Sequence, residues 1–342
     1  MDKKLNNPMD PGSETDWANL TFNPPGGAYP SEQSVTISCP TSGVTIHYTT
    51  NGSEPTESSA LYSSPITVSQ NSTIKAKAFK NGWNPSSTAS ASYIITTERM
   101  VYVAGGTFHN GTSNVTVSSF YIGKYELTQA EYQAVMGSNP SSFAINPNHP
   151  VEQVSWFNAI EYCNRRSIME SLTPCYSYDT YGSNPDNWSS GWNSSSGNHT
   201  NVSRDWTANG YRLPTEMEWM FASKGGNQSQ GFTYSGSNNI DDVAWYSGNS
   251  ASMTHAVGAK APNELGVYDM SGNVWEWVWD IYGDYPSGLQ TNPHGASSGS
   301  YRVRRGGGWS NVAGDCTVSS RGGNSAIVSS CDLGFRICIN AN

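Results

Sequence analysis

The sequence predicts two domains, a small all-β sandwich followed by a larger α+β domain, and three observations carry that expectation. At 342 residues and 37.0 kDa the chain exceeds what one hydrophobic core ordinarily holds. Residues 20–96 alternate apolar and polar with period two between clusters of Gly, Pro, Asn and Ser, which is the pattern of short half-buried strands. Beyond Met100 the period becomes mixed, and helical segments with their own start signals interrupt short strands and aromatic-rich turns.

In the first domain Val35-Thr36-Ile37, Val44-Thr45-Ile46-His47-Tyr48-Thr49 and Thr73-Ile74-Lys75-Ala76-Lys77-Ala78-Phe79 read as strands. Asn51-Gly52 marks a hairpin, because both residues tolerate positive φ. Several such strands in so short a stretch suggest an Ig-like β-sandwich. Residues 1–19 are polar and rich in Asn and Pro, so they read as disordered or tag-like, and Thr96-Thr97-Glu98-Arg99 reads as a linker. The second domain, 100–342, offers three helices. Thr128 with Glu131 forms a capping box and Gly137 stops the helix. Ser155 precedes Trp156, Ile160 and Cys163 at helical spacing. Thr215 with Glu218 repeats the box, with Gly225 as the stop.

Composition excludes several function classes. Charged residues are 13% and aromatics 12%, so the chain is not disordered. A net charge of −9 and a pI near 5.1 repel phosphate backbones and anionic lipid, which argues against nucleic acid as a partner. No apolar run is long enough to span a bilayer. The opening MDKKLNNPMDPGSETDW lacks an apolar stretch and is not an intact signal peptide, while the polar, lysine-poor composition suggests export. The six cysteines, Cys39, Cys163, Cys175, Cys316, Cys331 and Cys338, show neither a CxxC pair nor zinc spacing.

Two resemblances sharpen the reading. GGAYPSEQSVTISC, VTIHYTTNGSEPT and LYSSPITVSQNSTIKAKAFKNG resemble the sandwich modules at the C-terminal ends of chitobiases and hexosaminidases. That implies a spacer or appendage without catalytic groups. FYIGKYELTQAEYQAVMG, HPVEQVSWFNAIEYCN, YRLPTEMEWMFAS, NELGVYDMSGNVWEWVWD, RRGGGW and LGFRI, in that order, closely resemble the formylglycine-generating-enzyme (sulfatase-modifying factor) family. The resemblance covers Met100 to the end and implies the C-type lectin fold of that subtype.

The oxidases of that family use two cysteines, two and seven residues beyond the Trp of the RRGGGW block, because copper(I) prefers soft thiolates. Here the Trp is Trp309, Cys316 stands at the second of those positions, and Asn311 stands at the first. An amide cannot replace a thiolate, so neither copper nor a catalytic residue is expected. The iron-dependent sulfoxide synthases that share the fold need a His-rich helical domain, whereas the His residues here are scattered. A formylglycine-generating oxidase with a displaced cysteine pair is the alternative, and a carbohydrate-binding lectin a third reading from fold alone.

The family also implies a structural calcium ion. Carried over residue by residue, Asp269 and Glu276 would supply side-chain oxygens, and Gly272 and Val274 backbone carbonyls. The competing expectation is that Asp269 and Glu276 hydrogen-bond the turn and no ion binds. The period of the following strand puts Trp275, Trp277 and Trp279 on one face and Val274, Glu276 and Val278 on the other.

Between RRGGGW and LGFRI, residues 310–332 contain no Lys, Glu, Gln, Met or Trp, although these types make up 51 of the 342 residues and about three would be expected. Randomising the adenines of AAY codons gives every residue type except those five. This resembles the target proteins of diversity-generating retroelements, in which a reverse transcriptase mutates adenines near the gene's 3′ end. By that logic the variable positions are Ser310, Asn311, Val312, Asp315, Ser320, Gly322, Gly323, Asn324, Ser325, Ser329, Ser330, Cys331 and Asp332. Gly307, Trp309, Arg321, Gly334, Phe335 and Arg336 would be scaffold. An ordinary polar loop is the plain alternative.

The expected function is therefore non-enzymatic binding of a protein or surface ligand through a diversified site. The resemblance to the treponemal variable proteins of this class implies a surface lipoprotein, anchored by lipid upstream of this chain, and a monomer. The small polar side chains in 310–332 predict weak affinity for this variant, since no aromatic anchor is present.

Overall fold

The computed structural model describes residues 19–29, 32–69, 72–95 and 99–341. Positions 1–18 of the polar N-terminus and 96–98 of the expected linker lie outside the described residues. The chain divides into two units, Met1–Thr97 and Glu98–Asn342.

In the first unit, alternation in the sequence becomes two facing sheets. One holds Thr21–Asn23, Gln33–Ser38 and Ile66–Val68; the other holds Gly27–Tyr29, Ala89–Ile95, Ser72–Phe79, Thr45–Thr49 and Ala60–Leu61. Val35, Ile37, Ile66 and Val68 from the first meet Ile74, Ala76, Ala91 and Tyr93 from the second in one core. Every second residue points inward, so the intervening Thr, Ser and Lys face water. Gly52 takes φ 75° in the turn expected of Asn51-Gly52.

The second unit is a mixed α+β domain built around a four-stranded sheet ordered Arg321–Asn324, Arg302–Arg305, Trp275–Ile281, Leu333–Phe335. Its first and last strands, Met100–Val103 and Cys338–Asn340, flank Phe120–Gly123, so the two ends of the unit close on one strand. The helices are α1 (Gln129–Met136), α2 (Trp156–Met169) and α3 (Glu216–Ser223). Thr128 and Glu131 cap α1 reciprocally, Thr215 and Glu218 do the same for α3, and Ser155 forms its box with Asn158. Gly137 ends α1 with φ 78°.

The strand Trp275–Ile281 is buried on both faces, because it runs between two neighbours with a helix packed on the sheet. Trp277 donates its indole N–H to the Val154 carbonyl at 3.0 Å. Glu276 points into the core, where it meets the Arg336 guanidinium bidentately at 2.6 and 2.7 Å and accepts from the Trp219 indole at 2.8 Å. Arg336 also donates to the carbonyls of Gly123 and Tyr268, at 2.9 and 3.0 Å. Both side chains of the pair are wholly buried, and each charge is met by its partner and by further hydrogen bonds.

The turn that feeds this strand is held by Glu126, just ahead of α1. Its carboxylate accepts from Asn273 Nδ2 at 2.6 Å and from the Val274 amide at 3.0 Å. Burial, with the Asp269 and Glu276 carboxylates beside it, pushes Glu126 well above the usual carboxylate range. Asp269 opens the turn in the left-handed region (φ 57°) and accepts from the Gly258 amide at 2.7 Å. Burial raises its pKa to about 6, with Glu276 adding to the rise.

Between its ordinary value and about pH 6, folded Asp269 keeps a proton that the unfolded chain has lost. Its contribution to stability therefore falls as pH rises through that window and stays lower above it. Asp269→Asn keeps the acceptor, tolerates positive φ and removes the charge. Urea denaturation should show the variant gaining on the wild type at pH 7.5 and not at pH 4. An equal difference at both pH values would contradict the burial of this charge.

Candidate functional site

Residues 310–332 run from a 3-10 turn (Ala313–Cys316) into the edge strand Arg321–Asn324 and return by a loop to Leu333. Their backbone is fixed by groups that lie outside the stretch or at its positions not expected to vary. Buried Arg305 donates to the carbonyls of Val318 (3.2 Å), Ser319 (3.1 Å) and Ser320. The Trp309 indole donates to the Cys331 carbonyl at 2.9 Å, and the Trp156 amide to the Ala326 carbonyl at 3.1 Å. Arg321 forms a two-pronged pair with buried Glu216, at 2.7 and 2.8 Å, and Glu216 also accepts from the Tyr285 hydroxyl at 2.8 Å.

None of the thirteen positions expected to vary is buried, whereas Cys316, Val318 and Ala326, which the codon argument left out, are. Several of the thirteen meet. Asp332 accepts from Ser310 Oγ at 3.1 Å and from Ser330 Oγ at 2.6 Å, and Asn311 Nδ2 donates to Asp315 at 3.2 Å. The Ser325 amide donates to Asn324 Oδ1 at 3.1 Å, and among the described residues no side-chain hydrogen bond ties Ser320 or Ser329 to another of the thirteen. Val312 is exposed, as is Ile327 in the same stretch, and Cys331 is half-buried beside Ser330 and Asp332.

Two positions are less free than the codon argument expects. Asn311 Oδ1 accepts from the Trp275 indole at 2.8 Å and the Gly308 amide at 3.1 Å, so this side chain also holds its own loop. Gly323 is the more constrained. A Cβ there would lie 2.8 Å from Cγ of Tyr282 and 3.1 Å from its Cβ, so a side chain displaces the base of that ring. At Gly322 the nearest atom is Arg304 Nε at 3.0 Å, on a long flexible side chain that can swing aside.

Sequence reasoning missed Arg304. Its guanidinium lies 4.5 Å from the Trp275 ring centroid, and its Nε has no hydrogen-bond partner. Burial lowers its pKa, while Asp332 and Asp315 raise it, so the patch carries a cation that feels both of its acidic members. The signal was present in the alternation of Arg302-Val303-Arg304, but its partners lie across the sheet. A cavity of about 290 Å³ also borders the edge strand, lined by Glu216, Asp280, Tyr285 and Arg321 among others.

The calcium expectation does not fit this arrangement. Glu276 is taken by the Arg336 guanidinium and the Trp219 indole, and Asp269 by the Gly258 amide. The Val274 amide is tied to Glu126 and the Gly272 amide to the Gly306 carbonyl, bonds that order the turn without engaging the Gly272 and Val274 carbonyl oxygens, and among the described residues no group of three or more His, Cys, Asp or Glu is placed to hold a metal ion. The expectation that Asp269 and Glu276 bond the turn itself is also corrected, because Glu126 does so. Copper has no thiolate pair at the family's positions. Asn311 is an amide, and burial, with Asp315 beside it, pushes the Cys316 thiol up to about 12.

Residues 86–341 match the model of the sulfatase-modifying factor enzyme 1-like domain, and residues 24–90 that of the chitobiase/beta-hexosaminidase C-terminal domain. A protein named chaperone protein LppX, from Paenibacillus barcinonensis, is 41% identical over 266 residues, covering 70% of this chain and 88% of its own. The formylglycine-generating enzyme of Mus musculus is 28% identical over 57% of this chain, which spans only 45% of that enzyme. Among solved structures, Treponema denticola variable protein 1 superposes with a TM-score of 0.62 at 35% identity, covering 75% of this chain and 96% of its own.

The scaffold and the patch should respond differently to substitution. Arg305→Met leaves three carbonyls without their donor and should cost about 3 kcal/mol or more in urea denaturation. Val312→Tyr, on the exposed patch, should stay within about 0.5 kcal/mol of the parent. Comparable losses from both would refute the division.

Proposed function

The chain belongs to the sulfatase-modifying factor family, and from that premise we propose that it is a non-enzymatic binding member whose recognition surface is residues 310–332, diversified through adenine-directed mutagenesis. One observation carries the reading: the positions that AAY codons would vary are all at least partly exposed, on a backbone held by Arg305, Trp309 and Arg321. Side chains there can change without removing a core contact, Gly323 and Asn311 being the constrained exceptions. The likeness to the treponemal variable protein supports the same reading.

The surface of this variant is small and hydrogen-bonding. Ser310, Ser330 and Asp332 present hydroxyls and a carboxylate, Arg304 presents a half-buried cation, and Val312 and Ile327 are exposed apolar contacts. Such a patch suits a polar protein or surface ligand at modest affinity, to which many copies on one surface would add avidity. Export to the cell surface follows from the same reading and from the polar composition. No described helix is long and apolar enough to cross a membrane. The oxidase alternative rests on the family relatives that are named as enzymes, and it requires a thiolate where Asn311 stands.

Sequencing the 3′ end of the gene across a population of source cells tests the proposal. Substitutions should concentrate at the exposed positions of 310–332, be rare at Gly323, and spare Trp309, Arg321 and Gly334-Phe335-Arg336. A uniform population, together with copper-dependent oxidation of a cysteine peptide by the purified chain, would reverse the assignment.

A further inference from the structure

A cavity of about 520 Å³ lies in the second unit, and none of its lining residues belongs to 310–332. Its volume falls in the roughly 300–1,000 Å³ range of small-molecule sites. Two guanidiniums, Arg204 and Arg212, and one carboxylate, Glu218, line it. Glu218 is already committed. Its two oxygens meet Arg212 at 2.7 and 2.8 Å, and one of them also accepts from the Thr215 amide at 2.8 Å. Arg204 makes no ion pair of its own among the described residues, although the Glu218 charge acts on it from a distance: its Nε and Nη1 are buried and have no hydrogen-bond partner. The adjacent acid, Asp205, turns instead to the Thr207 amide and hydroxyl, at 2.8 and 2.7 Å.

Arg204 is nevertheless held in place. Its Cζ lies 3.5 Å from the Trp206 ring centroid, and the His294 imidazole stacks on the same ring at 3.3 Å with an interplanar angle of 18°. Two groups so close to one centroid must lie on opposite faces, so Trp206 has no free face for a sugar or aromatic ring. Burial first, then Arg212, lowers Arg204 to about 10, which leaves it cationic at neutral pH. Burial also lowers His294, to about 4, so the imidazole adds no second charge.

The neutral groups around this cation are donors. Ser118 Oγ accepts from Asn292 Nδ2 (2.9 Å), Ser119 Oγ from the Gly105 amide (2.9 Å) and Thr215 Oγ1 from the Glu218 amide (3.2 Å). Each hydroxyl keeps its own proton to give. Asn340 is used up, accepting from Arg212 Nε and donating to the carbonyls of Trp206 and Ala208. A buried planar cation with free N–H groups, surrounded by hydroxyl donors and with no available carboxylate, is complementary to an oxyanion.

We propose that this cleft is a second binding site, independent of the diversified surface, that takes an oxyanion-bearing polar small molecule on the Arg204 guanidinium. Carboxylate, sulfate and phosphate share that chemistry, and the cavity is larger than a bare ion needs, so the group is carried on a hydroxylated body the size of a sugar acid or sugar ester.

Isothermal titration of the full chain at low ionic strength and pH 7, with sodium glucuronate, sodium sulfate, sodium phosphate and neutral glucose, tests the site. At least one anion should bind with a millimolar or tighter Kd, and glucose should give no heat above dilution. The Kd should weaken at least about tenfold in Arg204→Gln. Glucuronate binding more tightly than both inorganic ions assigns a carboxylate source, and the reverse order a sulfate or phosphate source. Arg204→Gln removes an unpaired buried charge and should melt no lower than the wild type. If it misfolds, Ser118→Ala, at an exposed position, should weaken the same anion about threefold or more. Absence of heat with all three anions, or an unchanged Kd in the variant that folds, overturns the proposal.

Discussion

The Arg305 guanidinium, buried and aimed at three successive carbonyls, is the interaction on which the rest of the candidate surface depends. A loop usually satisfies its backbone with its own turns and side chains, so changing those side chains changes its path. Here Arg305 serves Val318, Ser319 and Ser320, Trp309 serves Cys331, and Trp156 serves Ala326. The path of the segment is therefore specified by residues that would not vary. The same arrangement accounts for the burial pattern, in which Cys316, Val318 and Ala326 face inward while the intervening positions reach solvent.

That scaffold is firm because its own charges are paired in the interior. Glu276 with Arg336 ties the central strand to the segment after Phe335, and Glu216 with Arg321 ties α3 to the edge strand. Removing one member of such a pair strands a buried charge, so the pairs also fix which residues can be exchanged. Asn311 shows how the surface departs from oxidase chemistry. Where a thiolate would be needed, an amide bridges Trp275, Gly308 and Asp315, and the remaining cysteine, Cys316, is buried as a thiol.

Much of the fold was legible locally. Capping boxes at Thr128 and Thr215, the Gly137 stop and the alternation around Val35 and Ile74 are short-range features, and each element formed where its pattern lay. The ordered motif blocks identified the larger domain. What was not legible depended on partners far apart in sequence. Glu126 reaches Asn273 across 147 positions, and Arg336 reaches Gly123 across 213. The calcium expectation shows the same limit: the sequence presents the oxygen donors around Asp269 and Glu276 but does not reveal that Arg336, Trp219 and Gly258 engage their side chains. The constraint on Gly323 is hidden in the same way, since it comes from Tyr282, just past the end of the central strand.

The most direct test of the account is hydrogen exchange at the amides of Val318, Ser320 and Leu333 in a chain substituted together at Ser310, Val312, Ser325 and Ser329, with Arg305 and Trp309 untouched. The Val318 amide bonds the Thr233 carbonyl outside the segment, and the Ser320 and Leu333 amides bond the Thr317 and Ser330 carbonyls in turns that persist only while the segment keeps its path. The account predicts protection within about a factor of three of the parent, because the backbone is held from outside. Protection lost across the segment would show that the exposed side chains themselves maintain its shape, and the separation of scaffold from surface would fail.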